Sequence, residues 1–554
     1  MRRLKSALAT AVLAPTVLAL LPAASAASAA ATTATTTAAA TRYEAENAFV
    51  SQGAVATNHT GFSGSGFVDY TNVAGSYVEW TVTAATADPA TITLHYANGT
   101  TADRPMEIRV NGAVAAASQS FPATGSWDTW ANATLTVQLT AGANTVRATA
   151  LSAGGGPNAD YLDVTPQSTS GGPGVPFGSH TFPYAAGTLR PSGAQATIDQ
   201  QVIDKYNAWK SAFLKQNCGN GWYQVISPDA DHPYVAEGQG YGMVITALMA
   251  GADANAKTAF DGLVKYMLAH PSVNNANLLA AEQDASCKSV NGSDSATDGD
   301  LDVAYGLLLA DRQWGSTGTY DYKDLAVRHI NAIKASEINP TTHLTRLGDW
   351  SGSGDSLYYV TRSSDWMIDH FRAFRTATGD SAWDTIRTAH QNLITSQQST
   401  YASGTGLLAD FVVNTNTTPK PATGQVLESP NDGDYGWNAC RDPWRIGADA
   451  VTSGDPASLA SARKLNSWIR TKTGGNAGSV VTGYHLNGSA FDTGKDMAFT
   501  APFAVTAMTD PNSQAWLDAL WGKLVSTPID SSLYYGSSVQ LQSMIVVSGN
   551  YWLP

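Results

Sequence analysis

The sequence predicts a multidomain protein in which an N-terminal all-β sandwich precedes a C-terminal all-α domain. With 554 residues, the chain is too long for one ordinary hydrophobic core, so we expect at least two domains. Residues 42–166 contain short alternating apolar and polar runs, interrupted by the pairs Asn98-Gly99 and Asn111-Gly112, a pattern typical of β-strands and hairpins. From about residue 197 the apolar residues recur with a helical period instead.

The first 26 residues have the three zones of a secretory signal peptide. Basic side chains occur at positions 2, 3 and 5, an apolar run follows at 7–21, and small residues occupy 24–26. We therefore expect a secreted, extracellular protein. No later apolar stretch is long enough to cross a bilayer, so we expect no membrane partner.

Two low-complexity segments flank the predicted β-module. Residues 27–41 form an Ala/Thr-rich spacer without a core-forming pattern, and residues 167–184 form a Gly/Pro/Ser-rich linker. Between them, alternation is clearest at 77–82 and 91–96, which predicts strands there. The C-terminal domain then covers residues 185–554.

Nine amphipathic stretches follow, with few strand-like runs between them. This balance favours a large α-helical domain over an α/β fold. The stretches are residues 198–214, 243–250, 303–314, 323–338, 365–376, 382–396, 458–473, 498–509 and 513–525. The period alone does not distinguish one large helical architecture from another.

The overall charge excludes one class of function. The formal net charge is -13, and nucleic-acid binding requires clustered Lys and Arg to contact phosphates, so we expect no nucleic-acid partner. An acidic surface suits a cationic substrate such as chitosan, and it equally suits plain solubility. The 15 Trp and 22 Tyr residues suit either large cores or stacking on sugar rings.

The three cysteines allow at most one intrachain disulfide. Cys218 and Cys287 both fall in loop-like stretches and form the favoured pair. Cys440 lies in an aromatic, arginine-rich segment that predicts burial. A thiolate metal site is not expected, because the sequence has no CxxC spacing.

Two acidic side chains stand among small residues at predicted helix starts. Glu237 opens the run Glu-Gly-Gln-Gly-Tyr-Gly, and Asp298 lies in the run Thr-Asp-Gly-Asp. Glycines are unfavourable in helices, so their presence indicates the close approach of another chain, and it leaves room for a substrate. For Thr297 and Asp298 the alternative is an ordinary helix N-cap.

These two segments, at 236–243 and 296–302, resemble glycoside hydrolase family 8. Two further segments at 361–371 and 435–446 match the same family in the same order, so the resemblance covers most of residues 185–554. It implies an (α/α)6 barrel and an inverting endo-glycanase. Inverting hydrolysis needs one protonated carboxyl and one carboxylate that activates water.

The resemblance implies roles for the matched residues. Glu237 corresponds to the general acid, and its apolar neighbours provide the desolvation that keeps a carboxyl protonated. Asp298 corresponds to the carboxylate that stabilises the distorted sugar at the cleavage subsite. Many members carry a base Asp where this chain has Asn438, and an amide cannot take a proton from water.

Another carboxylate must therefore act as the general base. Members with Asn at this place, which include chitosanases and lichenases, use a Glu on a preceding inserted loop. Glu428 occupies that loop here, and we expect it to be the base. Asp432 and Asp434 are rivals, although Pro-Asn-Asp-Gly is also a strong turn former.

Further residues of these segments are candidates for the substrate cleft. Arg441 is expected to orient carboxylates or water, unless it is a buried salt-bridge partner. Aromatic rings are expected to line sugar subsites, and the candidates are Tyr241, Trp437 and Trp444. A second charged cluster is interpreted as structural ion pairs, and it comprises Arg362, Asp365 and Asp369.

The N-terminal module resembles carbohydrate-binding modules of families 6 and 35, which implies a jelly-roll sandwich. The matching segments are 43–47, 124–130 and 155–163. In the resembled modules, Glu44, Glu46 and Asp163 occupy the positions of a structural Ca²⁺ site, and carboxylates are hard oxygen donors. The alternative is that these carboxylates face solvent near a chain end.

Sugar binding by the module is expected at loops along one edge. Trp127 or Tyr70 would lie flat on a pyranose ring, and Asn158 would supply orienting hydrogen bonds. For Trp130, a place in the hydrophobic core is as good an interpretation as sugar binding. The sequence does not reveal whether the ligand is neutral or a uronic acid.

The sequence therefore predicts a secreted, monomeric, inverting endo-hydrolase of β-1,4-linked glucan that needs no catalytic cofactor. A chitosanase is the main alternative, in which ammonium groups of the polymer pair with Asp284, Asp294 and Asp300. A non-catalytic polysaccharide-binding protein is a second alternative. A polysaccharide lyase is a third, but it would favour a Tyr/His or Arg pair over two acids.

Overall fold

The computed structural model describes residues 40–84, 89–140, 142–166 and 174–554. The predicted signal peptide at 1–26 lies outside the described residues, as do residues 27–39 of the predicted spacer and 167–173 of the predicted linker. Within the described ranges, no helix is both long enough and apolar enough to span a membrane.

The N-terminal module is built from β-strands, as predicted. The strands are β1 Thr41–Glu44, β2 Phe49–Ser51, β3 Gly53–Ala56, β4 Phe67–Tyr70, β5 Tyr77–Ala84, β6 Pro89–Ala97, β7 Met106–Val110, β8 Ala113–Gln119, β9 Ala131–Gln138, β10 Gly142–Ala150 and β11 Asn158–Pro166. One antiparallel sheet has the order β3-β4-β11-β6-β9, with β1 also pairing β11, and the other has the order β2-β5-β10-β7-β8. The two sheets bury a common apolar core.

The two Asn-Gly pairs have different structural roles. Asn111 and Gly112 form the two-residue turn between β7 and β8, both with positive φ, as a tight hairpin requires. Asn98 instead ends up buried, and its side-chain amide donates to the carbonyl oxygens of Ala102 and Phe121. That pair therefore organises a longer loop.

Residues 174–554 form thirteen α-helices. They are α1 Gln195–Phe213, α2 Ala236–Leu248, α3 Ala256–Ala269, α4 Thr297–Trp314, α5 Tyr322–Ser336, α6 Ile368–Thr378, α7 Ala382–Thr400, α8 Asp442–Ser453, α9 Pro456–Thr473, α10 Met497–Thr500, α11 Pro502–Ala507, α12 Gln514–Ser526 and α13 Tyr534–Ser548. Each of the nine predicted stretches falls on a helix. Helices α3, α8 and α13 were not among the predicted stretches.

Six of these segments contact one another in a closed order. The order runs α2, α4, α6, α8, α11, α13 and back to α2, and the longer remaining helices pack against this ring. Helices α2 and α4 cross closely because Gly240 and Gly299 lack side chains; a Cβ on Gly299 would lie 2.5 Å from the Ala236 carbonyl carbon. The glycines beside Glu237 thus admit a neighbouring helix.

Short antiparallel strands lie in the loops of this domain. They are β12 Leu214–Lys215 with β13 Gln224–Val225, β14 Tyr234–Val235 with β15 Glu282–Gln283, and the three-stranded sheet of β16 Thr361–Arg362, β17 Phe411–Val413 and β18 Lys420–Pro421. The predicted disulfide between Cys218 and Cys287 is present, and Cys440 is free and buried.

Candidate active site

Glu237 lies in the first turn of α2, directly after β14. Its Oε1 accepts a hydrogen bond from the Tyr534 hydroxyl at 2.9 Å, and its Oε2 accepts one from Arg441 Nη1 at 2.9 Å. Burial raises the pKa of Glu237 to about 7, although the Arg441 charge opposes this shift. Its side chain keeps 18% exposure, so solvent reaches the acid, and a pKa of about 7 keeps it mostly protonated below neutral pH.

Asp298 lies in the first turn of α4 and shares the same arginine. Arg441 Nη1 donates to Asp298 Oδ2 at 2.9 Å, and Arg362 Nη1 lies 3.8 Å from that oxygen. Burial alone would raise the pKa of Asp298, but the two guanidinium groups outweigh it and hold the pKa below its usual value. Asp298 therefore carries a negative charge beside Glu237.

The second terminal nitrogen of Arg441, Nη2, is linked through Asn438 to a third carboxylate. Arg441 Nη2 donates to Asn438 Oδ1 at 3.1 Å, and Asn438 Nδ2 donates to Glu428 Oε2 at 2.8 Å. Arg362 Nη2 donates to the other Glu428 oxygen at 3.0 Å. One guanidinium and one amide thus link Glu237 to Glu428, whose side chain is 43% exposed.

The two rival carboxylates on the same loop are engaged elsewhere. Asp432 is fully buried and accepts four backbone N–H groups, from residues 426, 427, 428 and 429. It stabilises the turn of the loop, as the turn sequence suggested. Asp434 accepts from His485 Nδ1 at 2.8 Å. Neither bonds to Asn438 or Arg441.

The predicted ion-pair cluster is only partly correct. Arg362 bonds to Glu428 and not to either aspartate of its own segment, so it belongs to the site. Asp365 is buried, and burial raises its pKa to about 7 despite the Arg362 charge. Asp369 instead bonds to His370 and accepts the Tyr551 hydroxyl in the domain interior.

Two aromatic residues that we predicted to bind substrate are buried, which corrects that prediction. Tyr241 has no exposed surface, and its hydroxyl accepts from Arg441 Nη1 at 3.3 Å. Trp444 is 3% exposed and packs against Tyr241 and Arg445. Tyr241 therefore supports Arg441 from the core, and Trp444 packs behind Tyr241. Trp437 is 39% exposed, so it alone of the three offers a ring face to a sugar.

Three site residues were missed by the sequence reasoning. Tyr534 holds Glu237 but opens α13, which is buried on all sides and lacks an amphipathic stripe. Arg362 was interpreted as structural. Asp410 accepts backbone N–H groups from the segment that carries Asn438, and its only signal in the sequence is an acid before the strand-like run 411–413.

The acidic cluster of the N-terminal module differs from the predicted one. Asp163 forms a two-bond ion pair with Arg42 at 2.9 and 3.0 Å, so its assignment as a metal ligand is wrong. Asp160 is buried, and burial together with the charges of Glu44 and Glu46 raises its pKa to about 6. A β-bulge between Ala159 and Tyr161 changes which face each residue of β11 occupies.

The loop 63–65 joins these three acids. The Ser63 hydroxyl donates to Glu44 at 2.7 Å, and the Ser63 N–H donates to Asp160 at 3.0 Å. Glu46 Oε1 accepts the Ser65 N–H at 2.6 Å, while its Oε2 is buried and has no hydrogen-bond partner among the residues that the structure describes. In the described residues, no three His, Cys, Asp or Glu side chains already surround one point at metal-ligand distance.

The predicted sugar-binding residues of the module differ in their burial and in their contacts. Tyr70 is a core residue whose hydroxyl donates to the Ala148 carbonyl at 3.0 Å, so it does not stack on a ligand. Trp127 is half-buried, with the Arg104 guanidinium 5.1 Å from its ring centroid. Asn158 begins β11 and is 3% exposed. Trp130 stacks on His95.

The site contains two carboxyl groups, Glu237 and Glu428, which are linked through Arg441 and Asn438. Glu237 is protonated near neutral pH and Glu428 is exposed, which is the arrangement of a hydrolase that uses one acid and one base. Residues 183–549 match the profile of glycosyl hydrolases family 8, and residues 41–167 match carbohydrate binding module family 35. The chain therefore belongs to glycosyl hydrolase family 8, and it is a glycoside hydrolase with a carbohydrate-binding module that acts on a polysaccharide.

Curated relatives extend over most of the catalytic domain. The chain is 45% identical to "Beta-glucanase" of Niallia circulans over 381 residues, which cover 69% of this chain and 92% of the relative. It is 38% identical to "Endoglucanase" of Bacillus sp. (strain KSM-330), with coverage of 67% and 80%. A solved structure, the apo form of Beta-1,3-1,4-glucanase from Paenibacillus sp. X4, has a TM-score of 0.67 and 44% identity, and covers 69% of this chain and 100% of that chain.

Proposed function

We propose that the protein is a secreted, inverting endo-hydrolase of β-1,4-linked glucan, either cellulose derivatives or mixed-linkage β-glucan. Its catalytic domain would be an (α/α)6 barrel, which the closed order of six inner segments supports. It would belong to the family members that carry Asn, here Asn438, where others have a base Asp. Glucanases among the relatives support the choice of polymer.

One observation carries this proposal: Arg441 and Asn438 connect the protonated acid Glu237 to the exposed carboxylate Glu428. In this reaction Glu237 donates its proton to the leaving glycosidic oxygen. Each oxygen of Glu428 accepts one N–H and keeps a further lone pair for water. Glu428 thus takes the proton of the attacking water from the opposite face of the sugar.

Asp298 is proposed to stabilise the positive charge that develops on the sugar ring. Its two guanidinium neighbours keep it ionised, and a fixed negative charge lowers the energy of an oxocarbenium-like transition state. Trp437 is proposed to stack on a sugar ring of the bound chain.

Chitosan is the less supported substrate. Of the acids that we expected to pair with ammonium groups, Asp300 is buried and accepts the Leu279 N–H, and Asp284 accepts the N–H groups of Ser286 and Lys288 on one of its two oxygens. Burial also raises the pKa of the third acid, Asp294. A glucan, which carries no ammonium group, fits these observations better.

The substrate and stereochemistry are tested together. We expect the pure protein to release reducing ends rapidly from barley β-glucan or carboxymethyl cellulose and slowly from chitosan. Proton NMR during the first minutes should show the α-anomer of the product, because a single displacement inverts the β-linkage. First appearance of the β-anomer would contradict the two-carboxylate inverting mechanism, and faster cleavage of chitosan would reverse the choice of substrate.

We also propose that the module holds a structural Ca²⁺ ion through Glu44, Glu46 and Asp160. The unpartnered, buried Oε2 of Glu46 fits this use, since a buried carboxylate oxygen needs a partner. The raised pKa of Asp160 fits it too, because a cation would relieve the repulsion among three carboxylates. Binding requires these carboxylates to close around the ion.

Substitution of Asp160 separates this assignment from the one made from sequence. We expect Ca²⁺ to raise the thermal transition of the module in the full chain by a few degrees, and Asp160→Asn to abolish the response. Asp163→Asn should keep it, because among the described residues the Asp163 side chain bonds only to Arg42. Ca²⁺ affinity should fall as the pH drops through about 6, where Asp160 gains its proton. Loss of the response in Asp163→Asn alone would restore the first assignment.

Export is proposed from the signal sequence at residues 1–26, and the disulfide between Cys218 and Cys287 suits an oxidising compartment. We propose that the protein acts there as a monomer on polysaccharide, with neither nucleic acid nor membrane as a partner. Trp127 and Asn158 are proposed to contact the ligand of the module.

A further inference from the structure

Asp410 is a buried carboxyl group directly before β17 and outside the acid–base pair. Its Oδ1 accepts three backbone N–H groups, from Gly436 at 3.0 Å, Asn438 at 3.1 Å and Ala439 at 2.7 Å. The side chain is almost fully buried. Three donors on one oxygen fix the position of the turn that supplies them, because a buried N–H without a partner is costly.

The backbone of the same strand reinforces this attachment. The Asp410 N–H donates to the Asp434 carbonyl at 2.8 Å, and the Phe411 N–H donates to the Asp432 carbonyl at 2.9 Å. The loop that carries Glu428 and the turn that carries Asn438 are therefore both tied to the start of β17.

Gly436 makes this close approach possible. A Cβ on Gly436 would lie 2.4 Å from Asp410 Oδ2, which is shorter than any ordinary contact. An alanine at this position would therefore push the carboxyl group away from the three N–H groups. The sequence places a glycine where the carboxyl group of Asp410 needs the space.

We propose that Asp410 is a positioning residue for hydrolysis, because it fixes the turn that presents Asn438 and Arg441. The inference rests on the proposed function. Asn438 holds the base Glu428, and Arg441 holds the acid Glu237. A shift of the turn would therefore change the separation between acid and base, and a displacement of about 1 Å is enough to cost about 10²-fold in rate.

The protonation of Asp410 suggests which substitution is tolerated. Burial raises the pKa of Asp410 to about 8, against the lowering effect of the backbone N–H groups. The group is then largely neutral at pH 7, with Oδ1 as the acceptor. An asparagine keeps that acceptor and its shape, so it should preserve the turn, whereas an alanine removes the acceptor from all three N–H groups.

Four variants of the full chain test the inference. Asp410→Ala and Gly436→Ala should each lower kcat on β-glucan by about 10²-fold with KM changed by less than about threefold. Asp410→Asn should keep kcat within about threefold of the wild type. The matched control is Asp449→Asn, which alters another buried carboxyl group, bonded to Arg372 and Ser458; its stability should fall while kcat stays unchanged.

The outcomes separate this inference from the proposed function. Wild-type kcat in Asp410→Ala and Gly436→Ala, alongside an inactive Glu428→Gln, would overturn the positioning role alone. An active Glu428→Gln would overturn both the positioning role and the assignment of Glu428 as the general base. A loss in Asp449→Asn equal to that in Asp410→Ala would also overturn the inference, because it would attribute both losses to general instability.

Discussion

Replacing Glu237 with glutamine is expected to lower kcat on β-glucan by about 10³-fold without unfolding the protein. The amide keeps an acceptor for Arg441 and the shape that Tyr534 contacts, but it has no acidic proton for the leaving oxygen. Thermal stability should stay the same or rise, because burial opposes a charge at this position. Reducing-end assays and a thermal melt measure both effects.

Two controls isolate proton donation from other roles of Glu237. A dinitrophenyl β-cello-oligosaccharide has a leaving group that needs no proton, so on this substrate the loss should shrink to about tenfold or less. Wild-type activity should decline above pH about 7, where Glu237 loses its proton, and the variant should lack this decline. An equal loss on both substrates would contradict the acid role.

Local signals in the sequence predicted much of the fold because they act over short distances. The pair Asn111-Gly112 specifies a tight turn through its own backbone preference, and the predicted hairpin is present. Outer helices show an apolar stripe, as α7 does. Helix α13 was missed because it is buried on every side, and a helix without a solvent face has no stripe to detect.

In the candidate site, several side-chain contacts could not be predicted from local sequence signals. The acid Glu237 stands in a motif, but the contacts of Arg362 depend on how β16 meets a loop distant in sequence. Asp160 and Asp163 are three residues apart on one strand, and a β-bulge decides which of them faces Glu44. Trp444 belongs to a motif that matches the family, yet its ring is buried.

Replacing Glu428 with glutamine is expected to lower kcat on β-glucan by about 10³-fold, because an amide cannot take a proton from the attacking water. Glutamine keeps one acceptor but sets an amide NH₂ opposite a donor from Arg362 or Asn438. Water activation is needed whatever the leaving group is, so the loss should be as large on the dinitrophenyl substrate. On the dinitrophenyl substrate, Glu237→Gln should therefore lose little kcat, whereas Glu428→Gln should lose about as much as on β-glucan.

The matched control for Glu428 is Asp434→Asn, which removes a carboxylate from the same loop. Asp434 bonds to His485 and to no other described side chain of the site, so this variant should keep kcat within about threefold. An active Glu428→Gln beside an inactive Asp434→Asn would transfer the base role to Asp434, and the link through Asn438 would then serve only to hold the loop.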